Sequence, residues 1–308
     1  MSEAVVAVDV GGTAIKAAVL DARGTTLRGD TLPTPVRDGA DAVVAAIRAV
    51  VGALVDESVC AVGLVVPGVV EVAGGVARYS ANLGWRDVPL GALLGADVGV
   101  PVVLEHDVRA AGYAERTLGL ARDVRDCLVV PIGTGVAGVV VAGGAHLRGA
   151  LDLAGEIGHV PVYPDGEPCA CGQRGCTETY ASAAAIARRY LARTDRALSA
   201  PEILAARSSD PVAAAVWDEA AEALGLALAG YTMLLDPALI VLSGGLSEAG
   251  EALRDPVREA LAARLAWRVA PRVEISPLGG RAGQYGAALF AWQAAGRDVT
   301  TTWTGLHP

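Results

Sequence analysis

Apolar residues run almost unbroken through positions 4–10 and again through 14–20, with only Gly11-Gly12-Thr13 between them. Runs this short, rich in valine and closed by turn residues, predict strands. Asp21-Ala-Arg-Gly24 marks a second turn, and a third strand is expected over 25–31. The chain therefore opens as a meander of hairpins, with strands rather than helices following the glycine turn. Helical spacing of apolar positions then predicts a helix over 40–55. A buried strand is expected over 59–66, ended by Pro67-Gly68, followed by loop through 80–85 and a short helix over 88–94. A strand over 100–104 leads through Glu105-His106 to Asp107, which stands where a helix N-cap would fall, with the helix over 108–118.

The stretch 128–149 repeats this opening plan. Leu128-Val-Val-Pro-Ile132 leads into Gly133-Thr134-Gly135, then a second apolar run, a turn and Arg148-Gly149, much as Val5-Val-Ala-Val-Asp9 leads into Gly11-Gly12-Thr13 and on to Arg28-Gly29. A repeat of this length predicts two similar α/β halves, with ligand bound between them. Beyond it, helices are expected over 181–192 and 212–235, and a strand over 238–242 running into Ser243-Gly244-Gly245. A helix over 248–265, a strand over 272–275 and a closing helix over 284–295 complete the pattern. Residues 296–308 have no apolar periodicity and are expected to fray.

Composition narrows the class. In 308 residues, 53% are hydrophobic and 19% charged, enough apolar material for about two packed domains and too much for a disordered chain. A net charge of −9 argues against nucleic acid as a partner. No apolar run reaches membrane-spanning length, and Met-Ser-Glu leads directly into the first strand without a signal peptide, so a soluble, cytoplasmic protein with reduced thiols is expected. Basic residues are arginines except for Lys16, which sits beside the first glycine turn.

Candidate chemistry concentrates in one segment. Gly155-Glu156-Ile-Gly-His159 is followed, nine residues on, by Cys169-Ala-Cys171-Gly-Gln-Arg-Gly-Cys176-Thr-Glu178. His159, Cys169, Cys171 and Cys176 form a four-ligand set of the kind tetrahedral Zn²⁺ prefers. A disulfide with a spare thiol is the competing reading, but Cys169 and Cys171 are too close for easy bridging. A metal here would fix Glu156 and Glu178 in space. With Asn82 and His159 they could hydrogen-bond a polyol.

The two glycine turns offer backbone N–H groups to a polyphosphate, with Asp9 and Lys16 near the first. Neither is a Walker loop, and neither is a dinucleotide fingerprint. Gly244-Gly245, after a buried strand, could admit the nucleoside. Asp107 could cap its helix, or accept a proton from a hydroxyl during phosphoryl transfer.

Asp9-Val-Gly-Gly-Thr13-Ala-Ile-Lys16, the Gly155–His159 run and the cysteine element together resemble the ROK family of repressors, open reading frames and sugar kinases. Pro67-Gly68, Asn82-Leu-Gly-Trp85, Ser243-Gly-Gly245 and Gly283-Gln-Tyr-Gly-Ala287 fit its pattern in the right order, so the resemblance covers nearly the whole chain. It implies an α/β, two-domain actin-like ATPase fold of the sugar kinase and hexokinase type, with a structural zinc loop. The small domain would comprise 1–107 and 286–308, and the larger one 108–285.

The resemblance also implies transfer of the ATP γ-phosphate, with Mg²⁺, to a hexose 6-hydroxyl, and a homodimer or homotetramer. It makes Asp107 the base. Asn82, His106, Asp107, Glu156, His159 and Glu178 would contact sugar. Asp9, Gly11, Gly12, Thr13, Lys16, Gly133, Thr134, Gly135, Gly244 and Gly245 would contact nucleotide. The family usually carries Asn-Asp where this chain has His106-Asp107, and histidine is larger and titrates near neutral pH.

A glucokinase-like enzyme is the first expectation. An N-acetylglucosamine, N-acetylmannosamine or amino-sugar kinase comes next, and a catalytically weak sugar sensor last. The repressors of the family carry a winged helix ahead of the first hairpin; here that hairpin begins at residue 4.

Overall fold

The computed structural model describes residues 3–150 and 153–303. They divide into two compact units, Met1–Gly119 with Arg281–Pro308, and Leu120–Gly280.

The first unit begins with β1 (Ala4–Val10), β2 (Ala14–Asp21) and β3 (Thr26–Pro33), then α1 (Ala40–Leu54) and β4 (Val59–Val66). Next come β5 (Val69–Glu71), β6 (Val76–Ser80) and β7 (Trp85–Val88), then α2 (Leu90–Val98), β8 (Val102–His106) and α3 (Asp107–Leu118). Its main sheet has the order β3-β2-β1-β4-β8. The meander β1–β3 is antiparallel, whereas β1–β4 and β4–β8 are parallel. Nearly every side chain of β1 and β4 is buried, which is why both read as unbroken apolar runs. The three short strands β5–β7 form a separate antiparallel sheet that was not expected: 80–85 reads as loop in the sequence, and Val88, which ends β7, as the start of a helix. Val69–Glu71 is exposed at both ends and too short to display alternation.

The second unit contains β9 (Cys127–Pro131), β10 (Val139–Ala142), β11 (Ala145–His146), α4 (Glu178–Ala181), α5 (Ala183–Thr194), α6 (Ala200–Ala206) and α7 (Pro211–Leu235). It continues with β12 (Leu239–Ser243), α8 (Glu251–Ala262) and β13 (Arg272–Ile275). Its sheet order, β11-β10-β9-β12-β13, is the first sheet's order position for position, with the same antiparallel and parallel pairings. The repeat seen in the sequence is thus a repeat of topology. The expected helix over 181–192 is broken at Ser182, which caps α5 by accepting from the Ala185 N–H at 3.1 Å. The one expected over 248–265 is interrupted at Gly250.

The last helix, α9 (Ala282–Ala294), belongs to the first unit. It packs on β1, β4 and α3. A methyl group at Gly63 would stand 1.9 Å from the Ala287 carbonyl oxygen, so only glycine lets α9 lie this close to β4. The first unit also keeps α3, so the boundary falls at Gly119 rather than at 107. Nor is the tail frayed as far as Trp303. Val299 and Trp303 are buried, Trp303 packs edge-on against Tyr285, and the Thr302 hydroxyl donates to the Ala22 carbonyl at 2.6 Å. Residues 304–308 of the expected tail, and of the expected small domain, lie outside those described.

Candidate active site

In the first unit the chain reverses between β1 and β2 through Gly11-Gly12-Thr13. The Gly11 N–H donates to the Ala14 carbonyl at 2.9 Å. Buried Thr34 holds the turn from below: its hydroxyl donates to the Gly11 carbonyl at 2.6 Å, and its N–H to the Thr13 carbonyl at 3.0 Å. Thr13 is exposed at the apex, and the Asn82 Cβ is 3.9 Å from where a Gly12 methyl would sit. Asp9 and Lys16 face each other across the hairpin register.

Asp107 is the first residue of α3, one position inside the helix; the cap position belongs to His106. Its Oδ1 accepts from the Val108 N–H at 2.7 Å and lies 3.5 Å from His106 Nδ1. Behind His106, Glu105 and Arg109 form a largely buried ion pair at 2.8 Å that the sequence reading did not single out. An acid four residues before an arginine, spanning a strand end and the first helical turn, was the available signal.

Burial pushes Asp107 up to about 6. Asp9 is pushed up to about 7, first by burial, then by the charge of Asp107, against the pull of Lys16. Asp9, on β1, and Asp107, just after β8, stand at strands separated by β4, and the charge of Asp107 disfavours ionisation of Asp9, an arrangement that favours a cation. Gly283, at the start of α9, backs onto the Asp9 carboxylate; a methyl there would approach Oδ2 to 2.8 Å.

In the second unit Gly133-Thr134-Gly135 closes a tight loop in which the Gly133 N–H donates to the Gly135 carbonyl at 2.9 Å. Ile132, at its root, donates to the Ser243 carbonyl at 2.9 Å and accepts from the Leu246 N–H at 3.0 Å. These bonds set Gly244-Gly245 beside the turn.

The segment leading to the zinc ligands packs on the same turn. Gly155 has φ of +100°, and a methyl there would meet the Gly138 carbonyl at 2.0 Å, so the close approach of this segment to the strand beside it demands glycine. Glu178 reaches back across the chain, and its Oε2 accepts from the Val136 N–H at 2.9 Å. The turn, the second glycine pair and Glu178 are therefore one neighbourhood. Glu156 is exposed at the start of the short turn that carries His159.

The ligand atoms of His159, Cys169, Cys171 and Cys176 lie within 4.8 Å of one another. His159 Nδ1 is 3.8 Å from Cys169 Sγ, and Cys171 Sγ is 3.7 Å from Cys176 Sγ. Tetrahedral Zn–S and Zn–N bonds require edges of roughly 3.5–3.8 Å. Burial, reinforced by the other two thiols, pushes Cys176 up to about 12. A divalent cation would supply the charge that three thiolates need. The donor set fits zinc on both counts. Around it, the buried Arg189 guanidinium pairs with Glu167 and Glu219, both at 2.7 Å, and lies over the Tyr180 ring.

Twin sheets carrying glycine hairpins, an inward carboxylate after the last parallel strand and a Cys₃His loop define a class of phosphate-handling α/β proteins. The chain belongs to the ROK family, whose model matches residues 5–294. It is 35% identical to the glucokinase of Streptomyces coelicolor over 93% of this chain and 96% of that protein. It is 33% identical to the N-acetylmannosamine kinase of Yersinia pseudotuberculosis over 77% of this chain and 81% of that one. Among solved structures, the ROK glucokinase of Streptomyces griseus, in complex with glucose and AMPPNP, superposes with a TM-score of 0.84 at 34% identity, covering 94% of this chain and 99% of that one. The fold is the actin-like ATPase fold of the ROK sugar kinases.

Proposed function

We propose that this protein is an ATP-dependent sugar kinase that transfers the γ-phosphate of ATP to the 6-hydroxyl of glucose. What carries the reading is likeness, over nearly the whole chain, to glucokinases, one of them solved with glucose and AMPPNP. Asp107 is the general base. A carboxylate raised to about 6 is still ionised at neutral pH, yet takes a hydroxyl proton more readily than an exposed aspartate. Its place in the first turn of α3 favours the anion and keeps the carboxylate ready before sugar arrives.

Asn82, His106, Glu156, His159 and Glu178 hold the sugar hydroxyls. Nδ1 of His159 faces the cysteines, which reserves Nε2 for the sugar. The Gly11–Thr13 and Gly133–Gly135 turns, with Asp9 and Lys16, hold the phosphates, and Gly244-Gly245 admits the nucleoside. Mg²⁺ entering with ATP supplies positive charge to the transferring phosphoryl group. Zinc in the Cys₃His set holds the loop that carries His159 and Glu178.

His106, next to the base, is the feature that favours a second reading, in which an acetamido or amino sugar is the acceptor. An ADP-release assay with Mg-ATP across glucose, mannose, glucosamine, N-acetylglucosamine and N-acetylmannosamine decides between them. Turnover highest on glucose is expected. Turnover confined to an amino or acetamido sugar would replace glucose with the second reading, and sugar binding without turnover on any of them would overturn the kinase assignment.

A further inference from the structure

The Gly133–Gly135 turn is gripped at both ends by the segment that follows Cys176. The Ala183 N–H, at the start of α5, donates to the Gly133 carbonyl at 2.8 Å. The Val136 N–H donates to Glu178 Oε2 at 2.9 Å. A methyl group on Gly135 would stand 2.5 Å from the same oxygen, so the carboxylate lies directly against the turn. Val136 also meets the segment that carries His159: a methyl on Gly158 would approach the Val136 carbonyl oxygen to 2.0 Å. Glu178 is held in its turn by the residues before it. Cys176 pairs with Pro161, and buried Thr177 donates to the Val160 carbonyl through its N–H at 2.9 Å and its hydroxyl at 3.1 Å.

This arrangement gives Glu178 a task besides the sugar. A hydrogen bond from an N–H to a carboxylate is charge-assisted and roughly twice as strong as one between neutral groups. Two glycines leave a turn many backbone conformations. A site that spends only part of its time in the binding conformation loses affinity in that proportion. A carboxylate that holds Val136 keeps the neighbouring N–H groups in place before nucleotide arrives. One oxygen suffices for that, which assigns Oε1 to a sugar hydroxyl.

We propose that Glu178 is the positioning residue of the Gly133–Gly135 turn, so that nucleotide affinity depends on it even when the sugar site is empty. The inference rests on the kinase reading, in which this turn holds phosphate. Calorimetry with Mg-AMPPNP and no sugar present tests it. Glu178→Ala should weaken nucleotide binding by about 10-fold, within the range of coupling between sites. Glu178→Gln, whose amide oxygen can still accept from the Val136 N–H, should stay within about threefold of wild type. Elemental analysis should find zinc retained in both variants, which shows the loop intact. A role confined to the sugar would leave the sugar-free nucleotide affinity of Glu178→Ala unmoved; that result overturns the inference and leaves the kinase reading standing. Equal losses in the two variants would overturn it by removing the hydrogen bond as the cause, and zinc lost together with nucleotide affinity would overturn it in favour of the metal loop. A wild-type protein that binds no AMPPNP would overturn the inference and the kinase reading together.

Discussion

At the scale of single residues, Asp107 combines two opposing influences. Burial raises its proton affinity, while the Val108 N–H and the start of α3 favour the anion. The balance leaves a base poised just below neutrality. Asp107→Asn keeps the size and the hydrogen-bond acceptor but cannot take a proton. Steady-state kinetics should find kcat lowered by about 10²–10⁴-fold, with the sugar KM changed by less than about threefold. Wild-type turnover in this variant would remove Asp107 from the role. The base works ionised, so kcat/KM should rise with pH along an acid limb and level off above it. Burial sets the Asp107 carboxyl at about 6, and the midpoint of the limb is expected there. A limb centred near the ordinary aspartate value of 3.8 would contradict the burial of this carboxylate or its role as the base.

At the scale of elements, the zinc loop is the case where rare residues made a structure legible. Three cysteines and a histidine at short spacing have few other uses, and their ligand atoms do converge. The return of Glu178 to the Val136 N–H was not legible, because no local pattern announces a contact between residues so far apart. The long strands β1 and β4 were read to the residue, since central strands buried on both faces leave no polar interruption. Helix α6 was missed despite a visible signal: Ser199 and Glu202 stand at capping-box spacing, and the Glu202 carboxylate accepts from the Ser199 N–H at 2.7 Å. With few apolar positions to repeat, so short a helix shows little periodicity. Asp107 was placed one residue outside its helix, an error within the ordinary fraying of helix ends. For the loop itself, Cys171→Ser is informative because Cys171 is exposed and its replacement leaves the core intact. Elemental analysis should find zinc lost, and calorimetry should find glucose binding weakened by about 10-fold or more. Unchanged glucose affinity in metal-free protein would separate the metal from the sugar site.

At the scale of the molecule, one five-strand plan occurs twice, and only the first copy recruits a segment from beyond the second. Arg281 donates to the Thr26 hydroxyl at 2.8 Å and stacks on Tyr285, Arg297 pairs with Glu3 at 2.8 Å, and Trp303 covers Gly24. Trp303→Ala should therefore destabilise the first unit by about 3 kcal/mol, read as a lower midpoint of urea unfolding. An unchanged midpoint would mean that the segment after α9 only rests on the surface.

The close seat of Ala287 against Gly63 matters also for the order in which the protein is made. A ribosome delivers the chain from its N-terminus, so all of Leu120–Gly280 emerges before α9 does. The second unit can fold during synthesis with its own residues alone, whereas β1 and β4 must wait with one apolar face uncovered. For the nascent chain, the half begun first is the half finished last, and that open face is where a chaperone would be needed.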